Sequence, residues 1–204
     1  MNQIENSQEE NFKDEISADK KTERGITLKD LAKFVLLTLI IVVPIRVFIA
    51  QPFLVSGSSM EPTFEDKEYL IVDKLSYRVE NPQRGDVVIF RFPGDTDKFL
   101  IKRIIGLPGE TVEVRNGKTH IKNESYPDGF VLGEPYALSN LPLITMTVTL
   151  KDDYYFVMGD NREQSADSRI WGPLNRSFIV GRPFIRLYPF NEMAMFPGQA
   201  HYEY

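Results

Sequence analysis

The stretch Phe99-Leu100-Ile101-Lys102-Arg103-Ile104-Ile105 has the composition of a β-strand with two basic residues in its middle. Successive side chains of a strand point to opposite faces, so Lys102 lies on one face and Arg103 on the other, each between apolar neighbours. We therefore expect one of the two to be buried among apolar side chains while the other reaches water. This strand indicates the fold class, because similar runs surround it in the sequence.

Short runs rich in β-branched and aromatic residues recur on both sides of that strand, separated by Asn-Pro, Arg-Gly and Pro-Gly pairs. Two connections have specific turn signatures: Leu107-Pro108-Gly109-Glu110 fits a type II turn, and Asn116-Gly117 fits a two-residue hairpin turn. Residues 123–143 have no regular pattern. The other predicted strands are Phe53–Val55, Tyr69–Val72, Asp86–Phe90, Thr111–Val114, Thr119–Lys122, Thr145–Leu150 and, as the last strong one, Tyr154–Met158.

These runs predict a mainly β fold, with a folded-over or closed antiparallel sheet in residues 51–204 and a small peripheral β insertion at 107–152. No internal repeat is visible. The chain has 204 residues, of which 42% are hydrophobic. That is enough for one domain with a sizeable core and an appendage.

Composition excludes several functional classes. The net charge of −5, without a basic stripe, argues against a nucleic-acid-binding protein. There are no cysteines, which excludes disulfides, thiolate metal sites and a cysteine nucleophile. Only two histidines are present, His120 and His201, so a histidine-rich metal site is not expected. We expect neither a metal nor a cofactor.

The N-terminal part of the chain differs from the rest. Residues 1–26 are polar and charged and predict a disordered tail. Thr27 and Asp30 then resemble a capping box that opens a helix. Residues 31–50 are nearly all apolar, and twenty such residues are the length of a transmembrane helix. We predict a membrane anchor over residues 27–50.

Two alternatives to an anchor are weaker. A cleavable signal peptide would start sooner and end in a small-x-small pattern that is missing here. A buried helix of a soluble protein is seldom apolar on every face. Basic residues are more numerous before the apolar stretch than after it, which places the N-terminus in the cytoplasm and residues 51–204 on the extracytoplasmic side. They are Lys20, Lys21, Arg24, Lys29 and Lys33 before it, and Lys67 and Lys74 after it.

The segment Ser56–Phe64, SGSSMEPTF, combines a cluster of hydroxyls with a glycine directly after the predicted strand Phe53–Val55. A serine at a strand end beside a glycine-permitted turn presents its hydroxyl next to free backbone N–H groups. An acyl-transfer nucleophile requires that arrangement, because the oxyanion must meet preorganised donors. The alternative is an ordinary polar turn.

A serine nucleophile needs a base, and neither His120 nor His201 lies in a motif that would place it there. A buried lysine can serve, because burial destabilises its ammonium, whereas arginine stays protonated. Lys102 is therefore the candidate base. The alternative is a lysine on an edge strand whose amine reaches solvent.

A third polar stretch, residues 159–169 (GDNREQSADSR), follows the last predicted strand. Its acidic and basic side chains can pair to stiffen a loop beside a site, and Ser165 then remains free to orient a base. The alternative is a loop whose side chains satisfy its own backbone. The candidate pairs join Asp160 or Asp167 to Arg162 or Arg169.

Together these stretches resemble the bacterial type I signal peptidases. The motifs are Ser-Gly-Ser-Ser-Met-Glu-Pro-Thr, Lys-Arg-Ile-Ile-Gly-Leu-Pro-Gly and Gly-Asp-Asn-Arg-Glu-Gln-Ser-Ala-Asp-Ser-Arg-Ile-Trp-Gly, in that order, and the resemblance covers roughly residues 30–190. It implies that Ser59 is the nucleophile and Lys102 the general base, with Ser165 hydrogen-bonded to that lysine. It also implies supporting roles for Asp160, Asp167 and Arg169.

Two positions depart from the family pattern. Gly57 stands where some members carry a serine whose hydroxyl helps the oxyanion hole. Besides the Ser59 N–H, the oxyanion hole therefore needs a second hydrogen-bond donor, which the sequence does not identify. Glu163-Gln164 replaces a frequent Asp-Asn pair. We expect that change to be mild, because flanking residues need only hold the turn.

The resemblance implies a membrane-anchored serine endopeptidase that removes signal peptides from exported preproteins. We expect it to act as a monomer at the lipid bilayer, without nucleic acid. The substrate would add as an extended strand beside the site and present small side chains to shallow pockets. The predicted substrate-binding residues are Phe53, Leu54, Val55, Phe99, Leu100 and Ile101; Phe190, Met193, Met195 and Phe196 either rest on the membrane surface or pack in the core.

Three other classes fit less of the chain. A self-cleaving repressor-type protease would need a DNA-binding helical domain where the apolar stretch stands. A β module that only binds exported chains predicts the loss of Ser59 or Lys102, and both are present. A Ser-x-x-Lys acylase of the penicillin-binding type fails, because the residues three after Ser56 and Ser59 are Ser59 and Pro62.

Overall fold

The computed structural model describes residues 27–44, 50–138, 144–200 and 202, and the chain divides into two compact units, 1–45 and 46–204. In the first unit, helix α1 spans Leu28–Pro44. Thr27 and Asp30 form the predicted capping box, since the Thr27 N–H donates to Asp30 Oδ2 at 3.2 Å and the Asp30 N–H donates to Thr27 Oγ1 at 3.3 Å. The predicted tail, residues 1–26, lies outside the described residues.

The predicted membrane span is only partly described. Among the described residues, none of the helices combines the length and the apolar character that a bilayer crossing requires. Residues 45–49 of the predicted span lie outside the described residues. Ala50, its last predicted position, belongs to a strand of the second unit.

The regular structure of the second unit is mainly antiparallel β-sheet, which confirms the mainly β part of the predicted fold class. The large sheet contains eight strands in the order β1-β2-β11-β3-β4-β9-β10, with β12 paired to β11. Their bounds are β1 Ala50–Leu54, β2 Tyr69–Asp73, β3 Val87–Phe92, β4 Asp95–Gly106, β9 Tyr154–Met158, β10 Leu174–Asn175, β11 Ile179–Tyr188 and β12 Ala194–Met195. Short helices α2, Ser76–Val79, and α3, Ser168–Trp171, lie between strands.

The small sheet lies within residues 107–152, the range predicted as a peripheral β insertion. Its strand order is β7-β6-β5-β8, with β5 at Thr111–Arg115, β6 at Lys118–Lys122, β7 at Phe130–Val131 and β8 at Met146–Thr149. The turn between β5 and β6 has Asn116 at φ 51° and Gly117 at φ 72°, as a two-residue hairpin turn requires. The Glu110 N–H donates to Leu107 O at 3.2 Å, so the predicted turn at 107–110 also forms.

The large sheet narrows one prediction and corrects another. Its described strands form an open order with β1 and β10 at the edges, so the closed alternative does not hold. Tyr154–Met158 is not the last strong strand, because the ten-residue β11 follows it and pairs with both β2 and β3. Gly181 and Pro183 break the apolar alternation of β11. Proline donates no ladder hydrogen bond, and the register with β2 shifts after Pro183.

Three buried clusters position the strands that carry the predicted site. One, which includes Met60, Phe64 and Leu70, lies beneath the loop that follows β1. A second packs Ile104 of β4 against β3 and β9. A third is shared between the two sheets, since Val112 and Ile121 of the small sheet pack with Phe156 of the large one. The insertion therefore shares a core with the large sheet.

Candidate active site

The loop that carries Ser59 is held by its buried neighbours. Met60 and Phe64 are both buried in the cluster beneath the loop, and the Phe64 N–H donates to Met60 O at 3.0 Å. The entry to the loop is fixed as well, because the Val55 N–H donates to Glu68 O at 2.9 Å. Burial of these side chains leaves the Ser59 hydroxyl on a short, anchored turn.

The Lys102 amine meets this hydroxyl. Lys102 Nζ lies 2.6 Å from Ser59 Oγ and donates to Ile101 O at 2.9 Å. The lysine is only 3% exposed. Burial lowers its pKa to about 8, while the nearby carboxylates of Asp167 and Asp160 raise it and Arg169 lowers it further. A lysine with such a pKa is partly neutral near physiological pH and can accept a proton.

Arg103 differs from the prediction that one of the two basic residues reaches water. It is 1% exposed, and its guanidinium donates to both Asp160 oxygens at 2.8 and 2.6 Å. The remaining N–H groups donate to the carbonyls of Gly85 and Gly198 at 2.7 and 2.5 Å and to Thr63 Oγ1 at 3.4 Å. Both faces of β4 are therefore buried here. The buried guanidinium is tolerated because every N–H has an acceptor and the charge has a partner.

The third polar stretch, residues 159–169, forms a loop behind the lysine that is held by hydrogen bonds and an ion pair. Of the candidate pairs, Asp167 binds Arg169, whose Nε donates to Asp167 Oδ1 at 2.7 Å. Asp160 instead pairs with Arg103. The backbone N–H of Gly159 donates to Ser165 Oγ at 3.2 Å and to Asp167 Oδ2 at 3.1 Å.

The expected hydrogen bond between Lys102 and Ser165 does not form among the described residues. The amine of Lys102 donates to Ser59 and Ile101, and the Ser165 hydroxyl accepts from Gly159. Ser165 is buried close to the site, but its contact is with the loop backbone.

The same loop touches the carbonyl of Ser59. The Asn161 N–H donates to Ser59 O at 3.1 Å. Gly159 passes so close that a Cβ built on it would lie 2.3 Å from Ser59 O, which explains why glycine is needed here. Gly57, the departure from the family pattern, uses its own N–H to donate to Asp66 Oδ1 at 2.9 Å.

An apolar cavity of about 100 Å³ opens beside Ser59 and Lys102. Phe53 on β1 and Phe99 on β4 both line it, and their rings pack edge to face with centroids 5.1 Å apart. Its lining includes all six predicted substrate-binding residues, Phe53, Leu54, Val55, Phe99, Leu100 and Ile101, together with Ser56, Leu70 and Ile89. Among the described residues, no group of three or more histidine, aspartate or glutamate side chains is placed to hold a metal ion.

Sequence reasoning missed several residues around the site. Thr63 Oγ1 donates to Asp160 Oδ2 at 2.5 Å, and Arg186 donates to Thr63 O at 2.6 Å, so both hold the serine loop. Glu134 and Arg162 form a buried ion pair next to the third loop. Thr63 and Arg162 lie in the quoted motifs, but the sequence pairs Arg162 with an aspartate and does not indicate Glu134.

A serine hydroxyl in contact with a buried lysine, beside an apolar cavity, is the arrangement of a serine hydrolase whose base is an amine. Residues 28–188 match the family described as signal peptidase, peptidase S26. The chain belongs to this family and is a serine endopeptidase, which confirms the resemblance drawn from the three motifs.

Two sequence relatives agree with this assignment, and one solved structure is also similar. The chain is 35% identical over 200 residues to a probable signal peptidase I-2 of Synechocystis, covering 95% of this chain and 88% of that protein. It is 37% identical over 199 residues to signal peptidase I T of Bacillus subtilis, covering 92% and 97%. A crystal structure of a signal peptidase I from Enterococcus faecalis V583 matches with a TM-score of 0.43 and 32% identity, over 51% of this chain and 97% of that chain.

Proposed function

We propose that this protein removes signal peptides from exported preproteins, with Ser59 as nucleophile and Lys102 as general base. The observation that carries the proposal is the 2.6 Å contact between Ser59 Oγ and a buried amine. A lysine so placed has a lowered pKa and lies within proton-transfer distance of the one hydroxyl that needs activation.

The reaction follows from this geometry. Neutral Lys102 accepts the Ser59 proton as Ser59 Oγ attacks the scissile carbonyl, and the protonated amine then delivers the proton to the leaving nitrogen. A water molecule, activated by the same lysine, hydrolyses the ester that links the substrate's acyl group to Ser59. The Ser59 N–H is one oxyanion donor. Asp160, Asp167, Arg169 and Ser165 support the site by fixing the loop behind the lysine.

The substrate fits an unpaired strand edge. β1 lies at the edge of the described sheet, and Phe53–Val55 and Phe99–Ile101 line the cavity beside Ser59. An extended peptide can pair with such an edge through its backbone and insert alternate side chains. The resemblance to the signal peptidases implies that this apolar cavity accepts small side chains at the positions before the cut.

The preprotein assay tests this function directly. Incubating the purified protein with a preprotein and sequencing the new N-terminus should show one cut after the signal peptide. Because protonated Lys102 cannot accept a proton, the rate should fall about tenfold per pH unit below a pKa of about 8 and level off above it. A preprotein that stays intact, or a flat profile between pH 6 and about 8, contradicts the proposal.

We further propose that the protein is anchored in the membrane by its N-terminal apolar stretch, with the catalytic unit on the extracytoplasmic side. Helix α1 leaves nearly all its apolar side chains exposed, including Phe34 at 67% and Ile40 at 59%. Near the C-terminus, Phe190, Met193, Met195 and Phe196 are also exposed and can rest on the lipid surface.

Cell fractionation tests the anchor. We expect the full-length chain in the membrane fraction, resistant to alkaline carbonate and released by detergent, because about twenty apolar residues favour the hydrocarbon core. Protease added to protoplasts should digest the catalytic unit, while the N-terminus stays protected. Recovery of the intact protein in the soluble fraction contradicts the anchor.

A further inference from the structure

Residues 132–138, here called the strap, connect the small sheet to the loop behind the lysine. They follow β7, and the Leu132 N–H donates to Thr119 O of β6 at 2.8 Å. At the other end of the strap the Leu138 N–H donates to Asp160 O at 3.0 Å. Between these points Tyr136 covers the Arg103 guanidinium, with the ring centroid 4.0 Å from Cζ.

The central contact of the strap is an ion pair between Glu134 and Arg162. Arg162 Nη1 and Nη2 donate to the two carboxylate oxygens at 2.9 and 2.5 Å, and the side chains are only 2% and 10% exposed. Thr119 Oγ1 adds a hydrogen bond to Glu134 Oε2 at 2.9 Å. A planar two-point pair of this kind fixes orientation as well as distance.

Arg162 transmits this orientation to the active-site loop. Its Nε donates to the carbonyl of Gly159 at 3.0 Å. The same short segment contacts the Ser59 carbonyl twice. The Asn161 N–H donates to it, and Gly159 lies so close to it that there is no room for a side chain. The backbone next to the nucleophile is therefore packed against a segment whose position Glu134 and Arg162 set.

We propose that Glu134, a residue of the insertion, is a positioning residue for peptide cleavage. Glu134 does not line the apolar cavity beside Ser59, and its described hydrogen bonds are with Arg162, Thr119 and Tyr136. It holds Arg162, which holds Gly159 and Asn161 against the Ser59 carbonyl, and thereby keeps Ser59 Oγ and the Ser59 N–H aligned. This inference rests on the proposed function of Ser59. Displacing a reacting group by about 1 Å can cost up to a hundredfold in rate, which is the scale of effect a positioning contact controls.

Glu134→Gln tests the inference, because glutamine keeps the size but cannot accept two charged hydrogen bonds. In the full-length protein we expect kcat for preprotein cleavage to fall about tenfold while KM changes less than twofold, since the substrate cavity is untouched. Glu113→Gln is the matched control. Glu113 lies on β5 of the same small sheet, pairs with the half-exposed Arg115 and Lys122, and should leave kcat unchanged.

Hydrogen exchange supplies a measurement that does not depend on activity. In Glu134→Gln we expect the Asn161 amide to exchange about tenfold faster, while the amides of Val112 and Ile121 keep their protection. If Glu134→Gln does not fold, Arg162→Lys replaces it, because lysine keeps the charge and loses the two-point contact.

The outcomes separate the inference from the proposed function. If the wild-type protein leaves preproteins intact, the proposed function fails. If it cleaves them and Glu134→Gln has the wild-type kcat, Glu134 is not a positioning residue. Faster exchange throughout the small sheet also overturns the inference, since it means that the mutation unfolds the insertion. Loss of kcat with faster exchange confined to residues 159–162 supports it.

Discussion

Ser59→Ala is expected to lower the rate of preprotein cleavage by about 10⁵- to 10⁶-fold, the scale seen when a serine hydrolase loses its nucleophile. The loss should be in kcat, because no other hydroxyl is in contact with the Lys102 amine among its described hydrogen bonds. Folding should be retained, since the turn is held by Met60 and Phe64 rather than by the hydroxyl. Single-turnover cleavage and the thermal unfolding midpoint measure both effects.

Ser58→Ala is the matched control for this variant. It removes a hydroxyl from the neighbouring position of the same loop, and Ser58 does not line the apolar cavity. We expect its cleavage rate to stay within about threefold of the wild-type rate, because a surface substitution of this size changes little. A Ser59→Ala protein that still cleaves, or a Ser58→Ala protein that does not, would place the nucleophile elsewhere.

Local patterns were sufficient for most of the β-structure. β9 has the bounds predicted from its apolar run, and the hairpin at 116–117 and the turn at 107–110 form as their glycines indicate. β11 was missed because its pattern contains Gly181 and Pro183, and its place between β2 and β3 depends on long-range pairing. Propensity describes a short run well only where neighbouring strands do not override it.

Part of the candidate site could likewise be predicted from local sequence, and part could not. The contact between Ser59 and Lys102 could be predicted, because each lies in a motif and because alternation on β4 separates the lysine from Arg103. The environment of Arg103 could not be predicted, since its acceptors come from residues far apart in the sequence, including Asp160, Gly85 and Gly198. Burial of a guanidinium depends on whether those acceptors meet, which is a property of the folded chain.

Lys102→Met is expected to abolish cleavage at every pH, because methionine fills the space of the lysine stem and accepts no proton. The rate should fall by at least about 10⁴-fold, as for loss of a general base that acts together with its nucleophile. Lys98→Met is the matched control on the same strand. Lys98 is exposed and paired with Asp95, so its removal should leave cleavage unchanged. Activity retained in Lys102→Met would exclude the amine as the base.

The same variant should also be more stable than the wild-type protein, and the gain should depend on pH. Burial lowers the folded-state pKa of Lys102 from 10.5 to about 8, so below pH 8 the folded protein carries an ammonium that burial destabilises. A shift of that size corresponds to as much as about 3 kcal/mol of lost stability. Between pH 8 and 10.5 the unfolded chain binds the proton and the folded one does not, so the wild-type protein becomes more stable as pH rises.

Urea unfolding measures this effect. The free energy of unfolding of Lys102→Met should exceed that of the wild-type protein by a constant amount at pH 6 to 7, and the difference should become smaller as pH rises past about 8. An equal margin at pH 6 and pH 10 would mean that the folded lysine is not destabilised by burial, and the amine would then lack the lowered pKa that makes it a base.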